Sequence, residues 1–378
     1  MRLESFALER IQSTWENLVD YNLSESGVHP MSFAELVGND AEAIARLAGQ
    51  ELGYGQTNGT VALRERIAAL YPGATPDHIV VTNGASEANF VTTWSLLEPD
   101  DEVALMLPNY MQIWGVARGF RGHLRPFYLR EGQAWSPDLD ELRRGVTSKT
   151  RVIAVCNPNN PTGAVLSESE MQSIVEVAAS VDAWLLADEV YQGAERDAPR
   201  TNSFWGRYEK VIVTNGLSKA YGLPGLRIGW VVAPPEVAAR LWSYRDYTTI
   251  APGRLSDHIA QIALVPETRE RILARTRKIL QTNYPILRDW LRQHPETFTL
   301  TEPHAGAIAY LRYRLDINST TLVEKLLDEQ SVLIVPGDCF GMDHYLRIGY
   351  GVEAAYLRAG LDRIHQTLAE LQPLAQAG

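Results

Sequence analysis

Cysteine is scarce in this chain. Its 378 residues carry two, Cys156 and Cys339, and neither stands in a C-x-x-C pair. A disulfide framework is implausible at this size, and reduced, cytoplasmic surroundings are expected. Long apolar runs are missing as well. None approaches the roughly 20 residues that cross a bilayer as a helix, so no membrane partner is expected. Basic runs are absent and the formal net charge is -11. That balance argues against nucleic acid and anionic lipid surfaces. The 8 histidines are scattered without metal-ligand spacing, so no metal is expected. Neither an internal repeat nor a low-complexity tract is visible.

What is present is core material. Apolar residues make up 45% of the chain, enough for a real core. The length suits one large domain or two unequal ones. The first stretch, MRLESFALERIQSTWENLV, is charged and periodic rather than a signal peptide. In it Leu3, Phe6, Ile11, Trp15 and Leu18 mark an amphipathic helix. From about residue 76 to 234, apolar runs alternate with helical patterns: IVVT, EVALM, LRPFYL, RVIAV, WLLAD, VIVTN and IGWVVA. The alternation predicts an α/β fold, with a central seven-stranded, mostly parallel sheet flanked by helices. Such sheets place their chemistry beyond the carboxyl ends of the strands. A long helical pattern follows, interrupted by Pro285, and then short strands and helices of a smaller α/β domain. The expected organisation is an arm over 1–40 packing on the small domain or a partner, a large domain over 41–270 and a small one over 271–378.

Several of these strand ends carry polar groups. After IVVT, NGASEA is a glycine turn opening a helix, whose N–H groups suit an anion. An ordinary helix start looks the same. After RVIAV, CNPNNPTG contains Asn-Pro steps that make a rigid loop and fix the amide of Asn160. Asp188 ends WLLAD. A carboxylate ending so apolar a strand is costly unless it meets a cation, although a cap or a structural arginine would also serve. NGLSKAYGLPGLRIGW then holds Lys219 and, eight residues on, Arg227. A lysine at a desolvated strand end can form a Schiff base, and an arginine fork suits a phosphate; either could also be a solvated surface charge. Together these are the parts of a pyridoxal phosphate (PLP) site. The lysine takes the aldehyde, and the carboxylate keeps the pyridine nitrogen protonated so that the ring draws electrons.

The sequence resembles the fold-type I PLP enzymes of the class I/II aminotransferases over nearly its whole length. NPNNPTG, ADEVY, SKAYGLPGLRIGW, YGQTNGTVALRERIA, VLIVPGDCFG and LRIGY are similar to that family's motifs. The resemblance implies a role for each matching residue. Lys219 binds the cofactor aldehyde and later moves the substrate proton, while Asp188 pairs with the pyridine nitrogen. Tyr191 and Asn160 donate to the ring oxygen. Arg227, Ser218 and the backbone of Ala85 and Ser86 hold the phosphate, and Tyr110 stacks on the ring. Tyr54 reaches the phosphate of a neighbouring subunit, which implies a homodimer with shared active sites. Arg347 binds the substrate α-carboxylate as a bidentate fork.

The implied activity moves an amino group between an L-amino acid and a 2-oxo acid. There are departures. NLSESGVHPMSF stands where many relatives carry a different N-terminal segment, with Gly27 the expected backbone contact to substrate. Gly216 stands where many have a serine, three residues before the lysine. Arg245 and Arg254 are candidates for reading a distal carboxylate from the partner subunit, which would admit aspartate or glutamate. The chain also resembles the capreomycidine-synthase-like subgroup, whose PLP chemistry cyclises an arginine derivative. A PLP-binding regulatory domain is a third reading. It needs a DNA-binding domain ahead of it, and Tyr54 lies too near the start of this sequence to leave room.

Overall fold

Strands covered on both faces need apolar residues at nearly every position, and six of the seven runs supply them, whereas LRPFYL alternates between buried and exposed. The computed structural model describes residues 2–38 and 40–375. Among these the strands are β1 (Tyr21–Asn22), β2 (Ile79–Thr82), β3 (Glu102–Leu107), β4 (His123–Arg130), β5 (Ser136–Pro137), β6 (Thr150–Cys156), β7 (Trp184–Asp188), β8 (Val211–Gly216), β9 (Gly229–Val232), β10 (Phe298–Leu300), β11 (Ile308–Tyr313), β12 (Val332–Leu333), β13 (Val335–Pro336) and β14 (Tyr345–Gly349).

The large sheet is 8-stranded, in the order β2-β9-β8-β7-β6-β3-β4-β5. Its seven longer strands are the predicted runs. The eighth, β5, is a two-residue strand paired antiparallel with the end of β4, too short to leave a periodic signal. Strands β4, β3, β6, β7 and β8 are mutually parallel. Antiparallel β9 lies between β8 and β2, so β2 points with the parallel set. The carboxyl ends of β2, β3, β6, β7 and β8 therefore share one edge with the start of β9. Strand β3 pairs with β4 on one side and β6 on the other, so the chain's progress reverses there. Open α/β sheets bind ligands at such a switch point.

Alternation sends successive side chains to opposite faces. Val80, Leu105, Ala154, Leu186, Ile212 and Val231 pack with Val91, Ile113 and Leu241 of three helices. Their neighbours Val81, Met106, Val155, Leu185, Val213 and Trp230 pack with Met171, Ile174 and Ala178 on the other face. A second, antiparallel sheet has the order β10-β11-β14-β13, and β1 pairs in parallel with β12.

Two expectations are corrected. Pro285 does not interrupt its helix, which runs unbroken from Pro266 to Leu291. Buried Tyr284, Ile286 and Leu287 flank the proline, and their packing outweighs the missing N–H. The first helix spans Ala7–Trp15, with Leu8 and Gln12 as its buried residues. Of the predicted apolar face, Phe6 and Ile11 pack against the core, while Leu3, Trp15 and Leu18 are exposed. The inward face carries polar groups because it covers a cavity.

Glu189, directly after β7, is buried at 1% exposure. Its Oε1 accepts from Ser203 Oγ at 3.0 Å and from Phe204 N–H at 2.7 Å, whereas Oε2 has no partner. Burial pushes its pKa up from 4.5 to about 7. The folded carboxyl keeps its proton after the unfolded one has lost it, so stability falls as pH rises from 4.5 to about 7. Glu189→Gln is expected to remove that loss, gaining roughly 2–3 kcal/mol over wild type above neutral pH and little at acid pH. Urea melts of both proteins across this pH range check it; parallel pH profiles would contradict it.

Candidate active site

The polar strand ends meet around one cavity of about 290 Å³. Asp188 closes β7 and is buried. Its Oδ2 accepts from Asn89 Nδ2 at 2.8 Å and its Oδ1 from Val190 N–H at 3.1 Å. Asn89 is itself oriented by Thr214 Oγ1, which donates to its Oδ1 at 2.7 Å. Burial raises the Asp188 pKa; the bonds from Asn89 and Val190 and the charge of Lys219 pull it back. A carboxylate held in place yet penalised for its charge suits a cationic ring nitrogen.

The anion cradle is built by glycines. The Ala85–Leu96 helix starts after Gly84, which has φ 86, and a Cβ there would stand 2.4 Å from Arg227 Nη2. A Cβ on Gly229 would stand 2.4 Å from Ala85 N. Both glycines thus let β9 and the Arg227 guanidinium close on the helix N-terminus. Ala85, Ser86, Ser218 and Arg227 all line the cavity. Gly216 is explained by the same crowding, since a Cβ there would meet Ile228 O at 3.0 Å.

Across the cavity stand Tyr110, Asn160 and Tyr191. Tyr191 OH donates to Ser26 Oγ at 2.9 Å, and burial pushes its pKa up. Asn160 Oδ1 accepts from Arg347 Nη1 at 2.9 Å, which leaves its Nδ2 as the donor for a ligand. Arg347, on β14, is buried and donates from Nη2 to Ser24 O at 2.6 Å, while its Nε has no partner. A buried guanidinium with an orphaned donor is poised for an anion. Lys219 Nζ lies 3.8 Å from Glu25 Oε2. Gly27 presses on the same turn, where a Cβ would be 3.2 Å from Ser218 O and 3.4 Å from Lys219 Cα. These groups fit PLP: a carboxylate for its nitrogen, a cradle for its phosphate and a lysine for its aldehyde.

The sequence reading missed an entire wall. Glu9, Gln12 and Glu16 of the first helix and its cap line the cavity, as do Glu25 and Ser26. Positions 9, 12 and 16 share one helical face, a spacing readable in the sequence once polar residues are counted. Asn89 was missed too, although it stands four residues after Ala85 on one helix.

Three predicted residues lie elsewhere in the subunit. Tyr54 is 85% exposed and lines a separate cavity with Arg254. Arg245 is fully buried. Its Nε pairs with Glu87 at 3.3 Å, Nη1 donates to Thr57 O at 2.6 Å and Nη2 to Thr249 Oγ1 at 3.0 Å. Its whole fork is engaged inside its own subunit.

Known proteins match this arrangement. The sequence profile described as aminotransferase class I and II covers residues 26–364. Capreomycidine synthase of Streptomyces vinaceus is 32% identical over 351 residues, 92% of this chain and 89% of that protein. A PLP-dependent aminotransferase of Streptococcus suis superposes with a TM-score of 0.92 at 34% identity, covering 98% of this chain and 99% of that one. The PLP-dependent cyclase OrfR superposes at 0.86 with 28% identity, covering 98% of each chain.

Borohydride reduction of the cofactor-loaded protein is expected to attach the cofactor to a peptide containing Lys219. Lys219→Ala should lose that label and its turnover while still retaining PLP non-covalently. Peptide mapping by mass spectrometry reads this directly; a label on any other lysine would contradict it.

Proposed function

This chain belongs to the class I and II aminotransferase family and uses pyridoxal 5'-phosphate, and from that premise we propose that it transfers the amino group of an L-α-amino acid to a 2-oxo acid. The observation that carries the reading is the meeting of Lys219, Asp188 and Asn160 about one cavity, with Arg347 buried directly behind Asn160 and bonded to it. When bound, the cofactor supplies an electron sink that makes a Cα–H bond of the amino acid acidic.

The chain's own groups do the rest. Asp188, fixed by Asn89 and Val190, holds the charge on the ring nitrogen. Arg227, Ser218 and the N–H groups of Ala85 and Ser86 hold the phosphate. Tyr110 would stack on the ring and Asn160 Nδ2 would donate to its oxygen, as would Tyr191 OH once turned from Ser26. Arg347 receives the α-carboxylate, which orients Cα–H toward Lys219. Lys219 Nζ takes that proton as general base and returns it as general acid. The arm's Gly27 backbone borders the substrate beside Lys219.

A second copy of the chain completes the site in this proposal. Exposed Leu52, Tyr54 and Tyr247 suit burial against a partner, and Tyr54 reaches the partner's phosphate. Arg254 is then the arginine available at that boundary. The small-molecule partners are the amino acid and the 2-oxo acid, and the setting is cytoplasmic.

The 32% identity to capreomycidine synthase favours a second reading, in which the same residues end in elimination or cyclisation. Products separate the two. Transamination turns the donor into a 2-oxo acid and a second 2-oxo acid into a new amino acid. Cyclisation consumes the amino acid without that exchange. Mass spectrometry after one turnover with a panel of amino acids is expected to find the 2-oxo acid; a cyclic amino acid with no oxo acid overturns the transaminase reading. Arg347→Lys is expected to weaken amino acid binding by roughly 2–5 kcal/mol, because an ammonium cannot reproduce the fork. KM for an amino acid, compared with that for the matching simple amine, checks this: the variant should lose the discrimination.

A further inference from the structure

Three carboxylates in the cavity wall have no task in the chemistry above. Glu9 and Glu16 come from the first helix and its cap, and Glu25 from the segment after β1. The fold fixes this wall firmly. Buried Gln12, between Glu9 and Glu16 on the helix face, donates to Ser24 O at 3.1 Å and to Ser24 Oγ at 3.0 Å. The same Ser24 O accepts from Arg347. Tyr110 OH donates to Glu9. Among the described residues the Glu16 carboxylate has neither a hydrogen bond nor an ion pair. Burial raises its pKa first, and the charges of Glu25 and Glu9 raise it further.

The charges in this cavity do not balance once the cofactor takes its share. Its cationic lining residues are Lys219 and Arg227. In the proposed function, Arg227 serves the phosphate and Lys219 serves the aldehyde and the proton. Asp188 answers the ring nitrogen. Among the described residues, Glu9 and Glu16 are left facing the cavity with no ion pair, and Glu25 has only Lys219, 3.8 Å away and already engaged. Independently, buried Arg347, one hydrogen bond behind the lining residue Asn160, keeps an unpaired Nε that suits a ligand carboxylate. A substrate held there by its α-carboxylate, with Cα at Lys219, turns its side chain to the remaining wall, which is the acidic one.

We infer that Glu9, Glu16 and Glu25 form a specificity subsite for an amino acid whose side chain ends in a cation, an ammonium or a guanidinium. This rests on the proposed amino acid chemistry of the site. It replaces the expectation of aspartate or glutamate as donor. An anionic side chain would add a fourth negative charge to this wall; Arg245 has no free donor to offset it, and Arg254 lines another cavity of the subunit, so only a second copy could bring it near.

The test uses the cofactor-loaded protein and pairs of probes matched in shape: L-arginine against L-citrulline and L-lysine against L-norleucine, with L-glutamate as the anionic case. Equilibrium titration of the cofactor absorbance gives each affinity. The charged member of at least one pair is expected to bind about tenfold or more tightly than its neutral match, with glutamate weakest. Glu16→Gln should cut that ratio severalfold, and the E16Q/E25Q double variant should nearly abolish it. Glu16 is the first choice because Glu25 sits against Lys219. Cofactor content per chain confirms that each variant is loaded. Equal affinities within both pairs in wild type, a preference for glutamate, or an unchanged ratio in the double variant each overturn the subsite. The wild-type comparison decides even if a variant fails to fold. If no amino acid of any charge changes the cofactor spectrum, the proposed function itself falls; if all do so alike, only the subsite falls.

Discussion

A carboxylate at the end of an apolar strand has to find a cation, and Asp188 imposes that condition on everything around it. Burial raises its pKa, while Asn89 and the Val190 N–H fix both of its oxygens in place. Among the described residues no guanidinium pairs with it. Lys219 is the cation that acts on it, and only through space. A site so arranged is complete only when something else brings positive charge, and the pyridine nitrogen of PLP does so. The cofactor's orientation follows. With its nitrogen at Asp188, the proposed reading would put its phosphate at the glycine-opened helix N-terminus and its aldehyde at Lys219.

The sheet makes these demands compatible. Five strand ends and the start of β9 share one edge, so residues far apart in sequence converge without long loops. The small sheet supplies one further piece, Arg347, and β1 and the arm supply the rest. Ser24 O receives both Gln12 and Arg347, so the arm helix and the carboxylate-binding arginine are set against one carbonyl. In the proposed reading, recognition of the substrate's two ends would be coupled through Ser24 to Gly27 of the arm.

Much of this was legible in the sequence. Six of the seven long strands were readable because a doubly covered sheet needs apolar residues at nearly every position; β4, half exposed, was readable by its alternation. Lys219, Asp188, Asn160 and Arg227 stood out because each follows or precedes such a run. What escaped had weaker signals. Strand β5 is two residues long, and a periodicity cannot be seen in two. The unbroken helix through Pro285 depends on neighbours that only the tertiary structure provides. The arm was misjudged because its apolar residues were counted and its polar face ignored, although the polar face is the one turned to the cavity. Arg245 looked available in sequence, and its burial against Glu87 is a tertiary fact.

The central claim is that Asp188 keeps the cofactor nitrogen protonated, and nitrogen NMR reads that state directly. Wild type and Asp188→Asn would be loaded with PLP carrying ¹⁵N in the pyridine ring, and the chemical shift followed from neutral into alkaline solution. The account predicts a protonated nitrogen throughout in wild type and an unprotonated one in the variant, with the phosphate still bound in both. The same shift in both proteins would contradict it.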